Sequence, residues 1–114
     1  MNEQLPALDP LLHQPARTQL VAFLASRGDV TFSELKRVLG VTDGNLGAHL
    51  GKLTEAGYVR SREDASGPRA QTVFLLTAKG RKALAEYIEH LSTLMNMSTA
   101  ADAPADAAFK LKTT

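Results

Sequence analysis

The sequence predicts an α+β fold, mainly α, in which two short helices joined by a tight turn lead into a two-stranded hairpin and a long C-terminal helix. Three observations carry it. Leu46, Leu50 and Leu53 recur at helical spacing between Thr42 and Gly57, which marks a helix with an N-cap and a glycine stop. Just upstream, Glu34–Leu39 ends at Gly40, so only Gly-Val-Thr separates two helices, the spacing of a helix-turn-helix unit. Just downstream, Tyr58–Arg62 and Gln71–Leu76 flank Glu63–Ala70, a segment with Asp, Ser, Gly and Pro, the signature of a β hairpin.

The remaining elements follow in chain order. Asp9-Pro10 starts a short turn, with Asp at the cap and Pro at the first helical position. Pro15 opens a helix over about 15–26 on which Leu20, Phe23 and Leu24 face inward, and Gly28 stops it. Val30-Thr31-Phe32 is extended and long enough only for a minor strand at the edge of a sheet formed elsewhere. Ser33 caps the next helix, with Leu35, Val38 and Leu39 inward. Thr42 caps the helix after it, with Asn45 rather than Glu or Gln at the third position, an incomplete capping box. Thr77 caps a last helix over about 78–95.

On that last helix Leu84, Ile88, Leu91 and Met95 form one stripe, flanked by Tyr87 and Leu94. This is more apolar surface than a small core needs, so these six residues are the expected dimerisation surface. The expected domain therefore covers 8–95. Residues 96–114, rich in Ala and small polar residues, are expected to be a disordered tail.

A chain of 114 residues has room for one domain with a modest core. The absence of Cys excludes disulfides, zinc–thiolate sites and thiol sensors. His13, His49 and His90 lie far apart and form no ligand-spaced cluster, so neither metal nor cofactor is expected. The segment Met1–Leu12 lacks the basic and apolar runs of a secretion signal, and no stretch approaches the roughly 20 apolar residues of a membrane span; a cytoplasmic protein is expected. No paired carboxylates, nucleophile–base set or phosphate-binding glycine loop point to an enzyme.

Net charge is only +1, but it is unevenly distributed. Residues 58–82 carry Arg60, Arg62, Arg69, Lys79, Arg81 and Lys82 against Glu63 and Asp64, a local net charge of +4. Local concentration of charge, more than its global sum, governs contact with phosphates.

A capped helix followed by a basic hairpin is the order that puts one helix in a DNA groove and an arm beside it. On the helix, Gly44, Ala48, Gly51, Lys52 and Glu55 lie opposite the leucines, with Asn45, Gly47 and His49 on the flanks. Thr42 and the free N–H groups of the first turn suit a phosphate. Asn45 can bond adenine, and Lys52 a phosphate or a guanine edge. Asp43 favours the helix dipole but repels phosphate. His49 suits a core-edge position as well as a base contact. Gly44, Gly47 and Gly51 each cost roughly 0.8–1 kcal/mol relative to Ala, which fits either close approach of the backbone to DNA or an unoptimised exposed helix. On the hairpin, Arg60 and Arg62 share a face, Arg69 lies at the tip and Gln71 begins the return strand.

At this point the chain resembles bacterial winged-helix transcriptional regulators, a single-domain DNA-binding family related to the MarR and ArsR groups. The resemblance covers about residues 8–93 and rests on LLHQPAR, on VTFSELKRVLGVTDGNLGAHLGKLTEAGYV and on TVFLLTAKGRKAL. It implies a winged helix-turn-helix with a two-stranded β wing, and a homodimer that binds pseudo-palindromic operators in double-stranded DNA, most often as a repressor. By position it assigns recognition to Thr42, Asp43, Gly44, Asn45, Ala48, His49 and Lys52, and wing contacts to the segment Arg62–Gln71. Cysteine-based sensing in neighbouring families does not carry over. A small-molecule effector between the dimerisation and DNA-binding parts stays open, and no constellation identifies one. The alternative function is a winged-helix module that binds a protein partner without specific DNA binding.

Overall fold

Local chemistry sets the helix boundaries. The Gln14 side chain accepts a hydrogen bond from the Arg17 N–H at 3.0 Å, and Pro15 begins helix α1, Pro15–Arg27, which ends at Gly28 with φ 92°. Ahead of it, the Asp9 carboxylate accepts from the Leu11 N–H at 2.9 Å. The Asp9 carbonyl accepts from Leu12 and His13, so the expected N-terminal turn forms. The computed structural model describes residues 7–102, with side chains to 97.

Strand β1, Val30–Thr31, leads directly into helix α2, Phe32–Leu39. The cap is Thr31, whose hydroxyl accepts from the Glu34 N–H at 3.1 Å; the expectation of Ser33 is corrected. Thr31 and Glu34 stand at the spacing of a capping box, so the helix starts two residues earlier than its apolar pattern indicates. Phe32, Leu35 and Leu39 then share one stripe, which rotates Val38 to its edge. Val38 is accordingly 44% exposed and not inward as expected. Gly40, at φ 66°, ends α2 in the left-handed conformation.

Helix α3, Asp43–Glu55, is capped by the Thr42 hydroxyl and turns into the hairpin through Ala56 and Gly57, the latter at φ 83°. Strands β2, Val59–Asp64, and β3, Gln71–Leu76, pair antiparallel in the register Val59↔Leu76 to Asp64↔Gln71. Glu63 and Asp64 were expected in the loop but are strand residues. Asp64 accepts from the Ser66 hydroxyl at 2.7 Å and N–H at 3.1 Å, closing the turn two residues later. These bonds hold the Asp64 carboxyl below its ordinary pKa. Strand β1 adds to the other side of β3, Val30↔Phe74, giving the order β1-β3-β2.

One apolar cluster joins all layers. Leu20, Val21 and Leu24 of α1, Leu35 of α2, and Leu46, Leu50 and Leu53 of α3 are buried together with Val59 and Leu76 of the sheet. Helix α4, Ala78–Asp102, closes the cluster and continues past residue 95, so positions 96–102 of the expected tail are helical. The rest of that expected tail lies outside the described residues.

The apolar residues of α4 divide. Tyr87 is 7% exposed in the domain's own core, with its hydroxyl 3.0 Å from Nδ1 of His13, which corrects its expected place on the dimerisation surface. Leu84 packs half-buried against the same cluster. Ile88, Leu91 and Met95 point outward, at 53, 36 and 62% exposure. Leu94 is half-buried.

Candidate nucleic-acid interface

Helix α3 is anchored by its leucines, Leu46 and Leu53 fully buried and Leu50 nearly so. Its opposite side is therefore held outward. Thr42, Asp43, Gly44, Asn45, Ala48 and Lys52 are all exposed, the face expected for recognition. His49 is half-buried; burial, then the charge of Arg17, pushes its pKa below the ordinary value of 6.5. A neutral imidazole is thus present at physiological pH, able to donate or accept one hydrogen bond but not to attract phosphate by charge.

The first turn of α3 carries a partner that sequence reasoning missed. Asp43 Oδ1 lies 2.8 Å from Nζ of Lys36 on α2. The two line a groove of about 590 Å³ together with Phe32, Ser33, Arg37, Gly40 and Val41. Lys36 thereby joins the expected site from the preceding helix. Its charge offsets that of Asp43, so the carboxylate that favours the α3 dipole repels an approaching phosphate less. No local pattern marked Lys36 for this role; the packing of α2 against α3 brings it to Asp43. Nearby, Glu34 accepts from Arg27 at 2.9 Å and lies 3.9 Å from Arg37.

The basic charge of 58–82 is not presented as one patch. Arg60, Arg69 and Gln71 are exposed on the hairpin, with Arg69 and Gln71 beside Gly67 and Pro68 at its tip. Arg62 is instead ion-paired with Asp29, in the loop before β1. Lys79 sits 5.9 Å from the centre of the Tyr58 ring, and Arg81 donates to the Ala25 carbonyl at 3.4 Å. Among the described residues, Lys52, Arg60, Arg69 and Lys82 are the Lys and Arg side chains of α3 and of residues 58–82 without an ion pair, a hydrogen bond or an aromatic ring beside them. These four are therefore the cations most directly available to a polyanion.

Among the described residues no three His, Asp or Glu side chains converge on a metal-sized site. None of their helices is long and apolar enough to cross a membrane.

An exposed capped helix flanked by a basic hairpin is the geometry of groove binding, and comparison with known proteins agrees. The family model of the winged helix DNA-binding domain matches residues 16–95. The uncharacterized protein MJ0432 of Methanocaldococcus jannaschii is 34% identical over 84 residues, 74% of this chain and 91% of its own. Among solved structures, the transcriptional regulator homologue protein from Pyrococcus horikoshii OT3 superposes with a TM-score of 0.71 at 28% identity, over 75% of this chain and 85% of that one. The transcriptional repressor CouR, solved bound to a 23-mer DNA duplex, shares the fold with a TM-score of 0.69 at 23% identity, over 91% of this chain and 73% of that one. The chain belongs to the winged helix DNA-binding domain family, with the MarR/ArsR-like fold of transcriptional regulators.

Proposed function

We propose that this regulator is a cytoplasmic homodimer that binds a specific double-stranded operator and represses transcription. The observation that carries the reading is the division of α3: three leucines lock one side into the core, while Thr42, Gly44, Asn45, Ala48 and Lys52 are held outward together. Asn45 and Lys52 supply base-edge and phosphate contacts, and the N–H groups of the first turn face a phosphate. Gly44 and Ala48, with no long side chain, let the helix lie close to the base edges. Arg60, Arg69 and Gln71 extend the contact from the wing into the backbone or an adjacent minor groove. His49 contributes as a neutral hydrogen-bonding group at the edge of the same face.

Dimerisation uses Ile88, Leu91 and Met95, the outward apolar side chains of α4, with Leu94 and Leu84 at their margin. Two copies related by a two-fold axis would present recognition helices roughly 34 Å apart, one turn of duplex. Selection of binding fragments from genomic DNA tests specificity and returns the half-site spacing; sedimentation at micromolar concentration tests assembly. A monomeric chain that also binds no selected or promoter fragment defeats the proposal. Repression is tested separately by expression from a reporter placed behind the selected site.

A further inference from the structure

Arg62 stands directly across from Val73 of the central strand, and Val73 stands directly across from Thr31 of β1. Opposed residues of antiparallel strands project to the same side of a sheet. Arg62, Val73 and Thr31 therefore form one row across all three strands. It lies on the face opposite Val59, Leu76 and Val30, which belong to the main core. Val73 is only 3% exposed although it is not part of that core cluster.

The Arg62 guanidinium is paired with Asp29, the residue before β1. Its side chain thus starts on one edge strand and reaches the beginning of the other, passing over the middle one. A long aliphatic stem laid across a sheet covers apolar surface while its charged head stays at the rim, which accounts for the burial of Val73. Asp29 gives α1 no help in return. It follows Gly28, the C-cap of that helix, where the helix dipole disfavours a carboxylate. Asp43 is different, because at the start of α3 its charge favours the helix that carries it.

We propose that the Arg62–Asp29 pair is a strap that fixes the wing relative to the helix-turn-helix. Arg62 is then a positioning residue, acting on DNA through the placement of Arg60 and Arg69 and not through a phosphate of its own. This rests on the DNA-binding reading above and assigns the wing's phosphate contacts within it.

The test is equilibrium binding of the full chain to a selected operator duplex across a salt series, for wild type and four variants. Arg69→Ala weakens binding and lowers the slope of log affinity against log salt by about 0.9 for each phosphate it no longer neutralises. Asp29→Asn weakens binding about fivefold or more, as expected for coupling between separate parts of one protein, although it makes the chain more positive; the slope is unchanged. Arg62→Gln weakens binding to the same extent and leaves the same slope. The reversed pair, Asp29→Arg with Arg62→Asp, regains affinity over Arg62→Gln, which restored packing alone does not produce. Tighter binding or no change in Asp29→Asn overturns the strap, as does a reduced slope in Arg62→Gln, while the DNA-binding reading survives. Wild type that shows no salt-sensitive DNA binding overturns that reading and the strap's role with it. The pair is half-exposed on both sides, so the single variants fold, and thermal melts of each confirm that binding compares folded chains.

Discussion

Gly80 packs its bare Cα against the backbone of Tyr58: a methyl group added there would lie 2.3 Å from the Tyr58 carbonyl oxygen and 2.7 Å from Leu76 Cδ1. The contact joins the first turns of α4 to the origin of the wing. Thr77 completes the joint. Its N–H donates to the Tyr58 carbonyl at 2.9 Å, its hydroxyl donates to the Gly57 carbonyl at 2.6 Å, and the same hydroxyl accepts from the Gly80 N–H at 3.0 Å. Gly80→Ala is expected to destabilise the domain by about 1–3 kcal/mol through overpacking, despite the better helix propensity of Ala. Chemical denaturation checks it; a stability gain contradicts the contact.

Helix α2 offers a test between two neighbouring hydroxyls. Thr31 makes the capping bond to Glu34, whereas Ser33 lies inside the helix and is exposed. Thr31→Ala is expected to cost about 1 kcal/mol, the usual loss of an N-cap. Ser33→Ala leaves stability nearly unchanged. Equal effects of the two substitutions in urea unfolding would return the cap to Ser33.

The three helical glycines of α3 separate stability from binding. A Cβ added at Gly44, Gly47 or Gly51 meets nothing within 4 Å, so replacement by Ala is expected to stabilise the free protein by up to about 1 kcal/mol at each position. Ala at Gly44, in the outward face of the first turn, is expected to weaken operator binding as well, because a methyl then stands between backbone and DNA. Paired melting and binding measurements decide this. Stabilisation with undiminished affinity at all three positions identifies them as unoptimised surface residues.

Tyr58 gives the fold an alkaline limit. Its hydroxyl donates to Asp9 Oδ2 at 2.6 Å. That bond first, then burial and the negative charges of Asp9 and Glu86, push its pKa from 10.0 to about 12. The folded state therefore holds the phenolic proton more tightly than the unfolded chain does. The stabilisation is complete below pH 10 and is lost as pH rises from 10 through 12. Tyr58→Phe is expected to lower stability at neutral pH, with the gap to wild type closing across that window. A gap independent of pH in denaturation series from pH 8 to 12 contradicts it.

How much of this was legible in the sequence varies by element. The leucine stripe of α3, the glycines that end α1 and α2, and the Thr42 cap were readable because each depends on residues within a turn or two of one another. The cap of α2 was misplaced by two residues because both Thr31 and Ser33 are competent caps, and β1 ends directly against the helix. The site was less legible than the fold. Lys36, which meets Asp43 across the turn, carried no local sign of a role in it, and Tyr87 shared a helical repeat with residues that face away from the core.

The sequence by itself determined the order of elements, the apolar faces and the concentration of basic residues after α3, since periodicity, capping and charge are properties of neighbouring positions. Tertiary structure decided which of those cations are available. Arg62 is taken by Asp29, 33 residues earlier, and Arg81 by the Ala25 carbonyl, 56 residues earlier, while Arg60 and Arg69 remain exposed. Charge along the chain is additive, but its availability to a partner depends on which acids and carbonyls folding brings within a few ångströms, and that is set by strand order and helix packing.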